Sequence, residues 1–267
     1  MNFVGDELAD LADTTSLFSV LDQMEGEVYR ALESRRTFRF QHNGKFYFAK
    51  LHYGAGWREI FKNLVSFRLP VLGATNELKA VRHLEHLGID TMRPVAFVSH
   101  QGNPATRKSC IVTVELENTK SLEELVDAGQ INMSQKRRLI RRVAEICRLM
   151  HDSGLNHRDL YICHFHLALD SRDRETPKLY VIDLHRAQLR HQTPSRWRIK
   201  DVGGLFFSVF DGGLTRTDAY RFIRAYTGKS LGESFAEDST FWRAVARRAI
   251  RLWRSKHGSA PIPEWVR

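Results

Sequence analysis

The chain has 267 residues, 42% hydrophobic and 27% charged, with a formal net charge of +10. That is an ordinary globular composition, long enough for one large domain or two modest lobes. Cys110, Cys147 and Cys163 are far apart with no CxxC pair, which excludes a disulfide framework and a cysteine zinc knuckle.

No apolar run approaches the ~20 residues of a membrane span. The N-terminus, MNFVGDELADLADTTSL, is acidic where a signal peptide is basic, so a soluble cytoplasmic chain is expected. Positive charge gathers in QKRRLIRR (135–142), RHQTPSRWRIK (190–200) and RAVARRAIRLWRSK (243–256), whereas the first 27 residues are acidic. A basic surface concentrates anionic partners without choosing among nucleic acid, nucleotide, acidic lipid and acidic protein.

In chain order, EVYRAL, TFRFQH and KFYFAKL read as strands of a small antiparallel sheet. Asn43-Gly44 between the last two is the strongest short hairpin signal. NELKAVRHLEHL (76–87) sets Val81, Leu84 and Leu87 at helical spacing and stops at Gly88. PVAFVSH and SCIVTVEL read as further strands. SQKRRLIRRVAEICRLMHDSG predicts a helix with Leu139, Val143, Ile146 and Met150 on one face, Ser134 as its cap and Gly154 as its stop. FHLALD and KLYVIDLH flank a polar turn as a hairpin, and everything after Thr217 reads as helix.

In the last helix Trp242, Val245, Ala249, Leu252 and Trp253 oppose Arg243, Arg247, Arg251 and Arg254. Such a helix either packs its apolar face on the second lobe or lies on an anionic membrane. The order of elements predicts an α+β fold of two lobes, a strand-rich 1–117 with an acidic N-terminal extension and a helix-rich 118–267. A ligand is expected in a cleft between them.

LNHRDLYICHFH (155–166) crowds His157, Arg158, Asp159, Cys163, His164 and His166 into one stretch. A zinc site is disfavoured, because alternation in a strand sends Cys163 and His164 to opposite faces and no second ligand cluster exists. NHRDLYICH instead resembles the catalytic loop H-R-D-x-x-x-x-N of protein-kinase-like enzymes, with His164 in place of Asn. VIDLH resembles the metal-binding D-F-G, with Leu184 and His185 as its last two letters. FYFAK supplies Lys50 at the end of the third strand, and the next helix supplies Glu77 on the face of Val81 and Leu84. The wording RLPVLGATNE, LNHRDLYICHF and VIDLHRAQ is similar to the lipopolysaccharide core heptose(I) kinase family, from roughly Glu25 to Arg224.

The resemblance implies a bilobal protein-kinase-like fold, an antiparallel N-lobe sheet with one main helix and a mostly helical C-lobe. It also implies ATP and Mg²⁺ as cofactors and the 4-hydroxyl of heptose I in the lipopolysaccharide inner core as acceptor. Phosphoryl transfer spreads charge over phosphate oxygens, so the enzyme mostly positions groups and neutralises charge. Lys50, oriented by Glu77, is the candidate for the α/β-phosphates. Asp183 is the candidate for Mg²⁺, and Asp159 for the proton of the acceptor hydroxyl. His164 stands at the second metal-ligand position, where imidazole is an unusual choice for Mg²⁺. His157 is expected to scaffold the loop. By the same resemblance, Asp201 at the start of a large buried helix bonds the loop backbone, the alternative being a helix N-cap.

No G-x-G-x-x-G lies between the first two strands. ALESRRTF stands there, so Ser34, Arg35 and Arg36 are the candidate phosphate donors. Period two places Phe46 and Phe48 beside Lys50, making Phe48 a roof for adenine. Arg186, Arg190, Arg196, Arg198 and Lys200 follow Asp183 and suit an acceptor rich in carboxylates and phosphates. Expected partners are the core and lipid A acceptor, an anionic membrane surface and an acidic protein, with no nucleic acid. The expected place is the cytoplasm, at the inner membrane of a Gram-negative bacterium. Each residue alone also has a bland reading, a surface lysine, a helix-dipole glutamate or a solvated loop. A kinase for another small-molecule or protein hydroxyl, and a non-catalytic binder of acidic lipid, stay open as other classes.

Overall fold

Asn43 and Gly44, both in the left-handed region (φ 47° and 75°), turn strand β3 (Arg35–His42) into β4 (Lys45–His52). Asn and Gly tolerate that geometry where branched residues do not. The coordinates are a computed structural model and describe residues 2–54, 56–57, 73–103, 105–258 and 262; the first half of RLPVLGATNE, 68–72, lies outside them. Contacts divide the chain into two units. The first is Met1–His83 with Met92–Glu117 and Leu184–Arg186, and the second is Leu84–Thr91, Asn118–Asp183 and Ala187–Arg267.

The first unit holds a six-stranded antiparallel sheet of β1 (Phe3–Val4), β2 (Glu27–Leu32), β3, β4, β5 (Pro94–Ser99) and β6 (Ser109–Val114). Its strand order is β1-β5-β6-β4-β3-β2. Successive strand residues alternate between faces. Phe38, Phe40, Tyr47, Ala49, Leu51, Cys110 and Val112 therefore share one face and form a core with Leu8, Leu17, Phe18 and Leu21. The last three belong to helix α1 (Leu17–Gln23), which the sequence reading did not mark. Asp13 organises the turn before it, accepting bonds from the Thr15 and Ser16 amides and hydroxyls, which hold its carboxyl well below the usual range. The other face packs Phe97 and Ile111 against Ala74 and Leu78, the latter in helix α2 (Thr75–His86).

His52 ends β4 buried, with no partner for its Nε2 among the described residues. Burial, and next the charges of Arg35, Lys50 and His185, push its pKa down to about 3. The folded ring is neutral, whereas the unfolded chain takes up a proton below pH ~6.5. Stability from this group is complete above that pH and drains as pH falls toward about 3. His52→Gln is expected to recover about 2 kcal/mol of the loss between pH 7 and 5, read from urea midpoints. Equal losses in both proteins would contradict this.

The second unit is mostly helical: α3 (Leu122–Asp127), α4 (Met133–Asp152), α5 (Ser195–Phe207), α6 (Arg216–Thr227) and α7 (Leu231–His257). Its short strands are β7 (Thr119–Ser121), β8 (Leu155–Asn156), β9 (Phe165–Ala168), β10 (Leu179–Val181) and β11 (Gln188–Leu189). They form a sheet in the order β10-β9-β7 and the pair β11-β8.

Helix α4 buries Leu139, Val143, Ile146 and Met150, but its cap is Asn132, not Ser134. Asn132 and Gln135 exchange reciprocal 2.9 Å bonds, which Ser134, already inside the first turn, is not placed to make. Helix α5 is buried from Asp201 to Leu205 and so carries no polar stripe for a sequence reading to find. A Cβ on Gly203 would meet the Arg248 side chain at 2.6 Å, and one on Gly204 the Leu160 carbonyl at 3.0 Å.

In α7 Trp242, Val245, Ala249 and Trp253 are buried while Arg243, Arg247, Arg251 and Arg254 are exposed. Among the described residues no helix is long and apolar enough to cross a membrane.

Candidate active site

Lys50 and Glu77 meet in the first unit. Thr37 faces Lys50 across β3 and β4, and Arg35 faces His52, so these four side chains share the face that carries Phe48. Lys50 Nζ lies 2.5 Å from Glu77 Oε1, the glutamate fully buried and the lysine side chain 13% exposed. Glu77 Oε2, Thr37 Oγ1 and His52 Nε2 are buried polar atoms without a partner among the described residues. Phe48 packs edge-on against Tyr29 at 5.3 Å. Ser34 turns β2 into β3 and accepts the Tyr53 amide through its carbonyl.

Arg36 does not join this group. It sits one position out of phase, and its guanidinium donates to the Asp22 and Met24 carbonyls at 2.8 Å while covering Phe38.

In the second unit a buried carboxylate holds the catalytic-loop candidate. Asp201 accepts the His157 amide at 2.7 Å and the Arg158 amide at 2.9 Å, with His151 Nε2 at 3.4 Å. The His151 Nδ1 continues to the Tyr226 hydroxyl at 2.8 Å. Asp201 lies within α5, whose N-cap is Pro194, so the N-cap alternative and the placement at the helix start are both corrected. The two anchored amides let Arg158 hold φ 75°, costly for a non-glycine residue.

His157 is fully buried and donates Nε2–H to the Ile182 carbonyl at 2.9 Å. Burial, then the neighbouring His164, lower its pKa. Its ring stacks on His164 at 5.4 Å.

Residues Ile162–His164 form a 3-10 turn, not the strand on which the zinc argument relied, because the chain curls before β9 begins. The turn sends His164 Nδ1 to the Asp159 carbonyl at 2.7 Å. A carbonyl only accepts, so Nδ1 carries a hydrogen and donates it, which turns Nε2 away from the Asp159 carbonyl. That Nε2 stands 3.6 Å from Asp183 Oδ2.

Asp183 has φ 59°, a second strained position, and its side chain is 30% exposed. Among the described residues no three His, Cys, Asp or Glu side chains form a metal cage. Mg²⁺ needs none, since it takes one or two protein carboxylates and completes its shell with phosphates and water.

The basic residues after Asp183 separate into three groups. Arg186 lies in the turn Leu184–Arg186 of the first unit. Arg198 is a clamp, with its guanidinium donating to Asp152 at 2.8 Å and to the His151 and Thr193 carbonyls. Arg190, Arg196 and Lys200 gather around the Trp197 indole. Arg158 joins them, a residue the sequence reading treated only as a letter of HRD. The one signal that could have revealed this was a tryptophan inside RWRIK.

A lysine and glutamate paired beneath a strand, and an HRD loop hung from a buried aspartate, define the protein-kinase-like class. The lipopolysaccharide kinase (Kdo/WaaP) family model matches residues 20–226, and the chain belongs to that family. It is 44% identical over 250 residues to the lipopolysaccharide core heptose(I) kinase WaaP of Escherichia coli K12, covering 92% of this chain and 94% of the relative. Against WaaP of Pseudomonas aeruginosa it is 43% identical over 243 residues, covering 90% and 91%. A solved structure of WaaP in complex with acyl carrier protein matches with a TM-score of 0.81 and 37% identity, over 95% of this chain and 99% of that one. Membership in a kinase family makes ATP the phosphoryl donor.

Proposed function

We propose that the chain transfers the γ-phosphoryl group of ATP to the 4-hydroxyl of heptose I in the lipopolysaccharide inner core. The acceptor comes from relatives that share 43–45% identity over about nine tenths of the chain. The observation that carries the chemistry is the loop in which one turn ties Asp159 to His164 and His164 to Asp183.

In this reading Asp159 takes the hydroxyl proton as the sugar oxygen attacks phosphorus. Lys50 holds the α/β-phosphates, and the buried Glu77 fixes its direction. Thr37 and Arg35, which share the Lys50 face of the sheet, serve the phosphates in place of a glycine-rich loop, with Ser34 in the turn before them, and Phe48 covers the adenine. Asp183 is the Mg²⁺ ligand, with His164 Nε2 on the same side. When bound, Mg²⁺ neutralises charge on the transferring phosphate. His157 and Asp201 hold the loop.

Lys50→Ala is expected to lower kcat/KM by about two to three orders of magnitude through lost phosphate positioning, measured by coupled ADP release. A normal rate would remove Lys50 from the site.

The acidic partner expected from the +10 charge has a precedent in the acyl carrier protein bound to the solved relative, and we extend that partnership to this chain. The working place is the cytoplasmic face of the inner membrane, where the acceptor is anchored. Because the apolar face of α7 is buried, membrane contact is electrostatic, through its exposed arginines. The test is mass spectrometry of core lipopolysaccharide lacking heptose phosphate after incubation with purified protein, ATP and Mg²⁺. One added phosphate supports the reading. Phosphorylation of aminoglycosides or peptides in preference to core would replace it.

A further inference from the structure

Four cationic groups converge on one aromatic ring in the second unit. The Arg158, Arg190 and Arg196 guanidinium carbons lie 5.6, 5.4 and 5.5 Å from the Trp197 ring centroid, and Lys200 Nζ lies at 5.4 Å. Groups this close to one point lie near one another, and the charge of Arg196 acts on Arg190. No carboxylate within ion-pair distance relieves Arg190 or Arg196 among the described residues. Arg190 donates to neutral amide oxygens, Asn156 Oδ1 at 2.5 Å and Gln188 Oε1. Asp201, whose two oxygens accept the loop amides, makes no ion pair with Arg190 and acts on it only through its field. Burial, and then the charge of Arg196, push the Arg190 pKa down against the opposing charge of Asp201. A cation ring fixed by amides and an indole, in which Arg190 and Arg196 have no ion-pair partner among the described residues, is organised to receive an anion.

We propose that the cation ring around Trp197 is an anion subsite that grips a carboxylate or phosphate on the acceptor, separate from the hydroxyl that is phosphorylated. This rests on the acceptor being lipopolysaccharide core. Arg158 directly precedes Asp159 in the chain, and Asn156, which orients Arg190, opens the same loop. An anion seated on the ring therefore fixes the sugar relative to Asp159, which turns binding energy into orientation. Arg158, Arg190, Arg196, Lys200 and Trp197 set acceptor specificity, whereas Arg198, engaged by Asp152 and two carbonyls, does not.

The test crosses one protein change with two acceptor changes. Arg196→Gln is expected to raise the acceptor KM about tenfold or more and leave the ATP KM unchanged. Reducing the sugar-acid carboxylates of the core, or removing its lipid phosphates, identifies the group that is read. Removing that group should cost the wild type the same factor and cost Arg196→Gln nothing further. Losses that multiply, or an Arg196→Gln KM equal to wild type, would overturn the subsite.

Binding is read separately by ¹⁹F NMR of protein labelled with fluorotryptophan, the Trp197 signal being assigned by Trp197→Phe. Intact core saccharide should shift that signal, and saccharide stripped of both carboxylates and phosphates should not. No shift with intact core would also overturn the subsite. A shift without phosphoryl transfer would instead refute the kinase reading and leave the subsite standing.

Discussion

Asp159→Ala is expected to lower kcat for transfer to core lipopolysaccharide by about three orders of magnitude while leaving fold and ATP affinity close to wild type. A positioned base contributes about 10²–10⁴ to such a step. The fold should survive because Asp201 holds the loop through the amides of His157 and Arg158, and His164 through the Asp159 carbonyl, none of which involves the Asp159 carboxylate. ATP affinity should survive because the phosphate-holding roles fall to Lys50 and Asp183. Steady-state kinetics with calorimetric ATP binding on the same preparation separates these effects. Unchanged transfer would remove Asp159 as the base. Lost ATP binding would show that it serves the nucleotide instead.

The second large effect is expected at Asp201. Its carboxylate is fully buried and satisfies two buried amides, so Asp201→Ala strands both at about 1–3 kcal/mol each. A loss of about 3 kcal/mol in urea unfolding is expected, together with near-complete loss of transfer, because Arg158 no longer holds its left-handed backbone. Asp201→Asn keeps one acceptor oxygen and should lose less of both. A protein with Asp201→Ala that is as stable and active as wild type would show that the loop is held elsewhere.

What the sequence made legible follows from periodicity. Period two in β4 and the 3.6-residue turn of α2 place Lys50 and Glu77 on facing sides, and Asn43-Gly44 has one economical turn to make. The packing of α7 through Trp242, Val245, Ala249 and Trp253 follows from its stripe. Local signals did not reach contacts made by residues distant in the chain. Arg198 reads like its basic neighbours, yet Asp152 and the His151 carbonyl, more than forty positions away, spend its charge. Arg36 is one residue from Arg35 but on the opposite face.

His164 shows the same limit at the centre of the site. An unusual letter in a catalytic motif becomes intelligible once its Nδ1 is seen on the Asp159 carbonyl and its Nε2 toward Asp183. A 3-10 turn, not a strand, creates that arrangement. Arg190, Arg196, Trp197 and Lys200 lie in one basic window, but Arg158 joins them from the loop after β8, more than thirty positions away, and no local signal links the two.

The central claim is the identity of the phosphorylated hydroxyl. Two-dimensional ¹H–³¹P NMR of core oligosaccharide, released after reaction of purified protein with ATP, Mg²⁺ and acceptor lacking heptose phosphate, tests it most directly. The account predicts one new phosphomonoester coupled to the proton at position 4 of the first heptose. Coupling to any other sugar position, or no new phosphorus signal while ATP is bound, would contradict it.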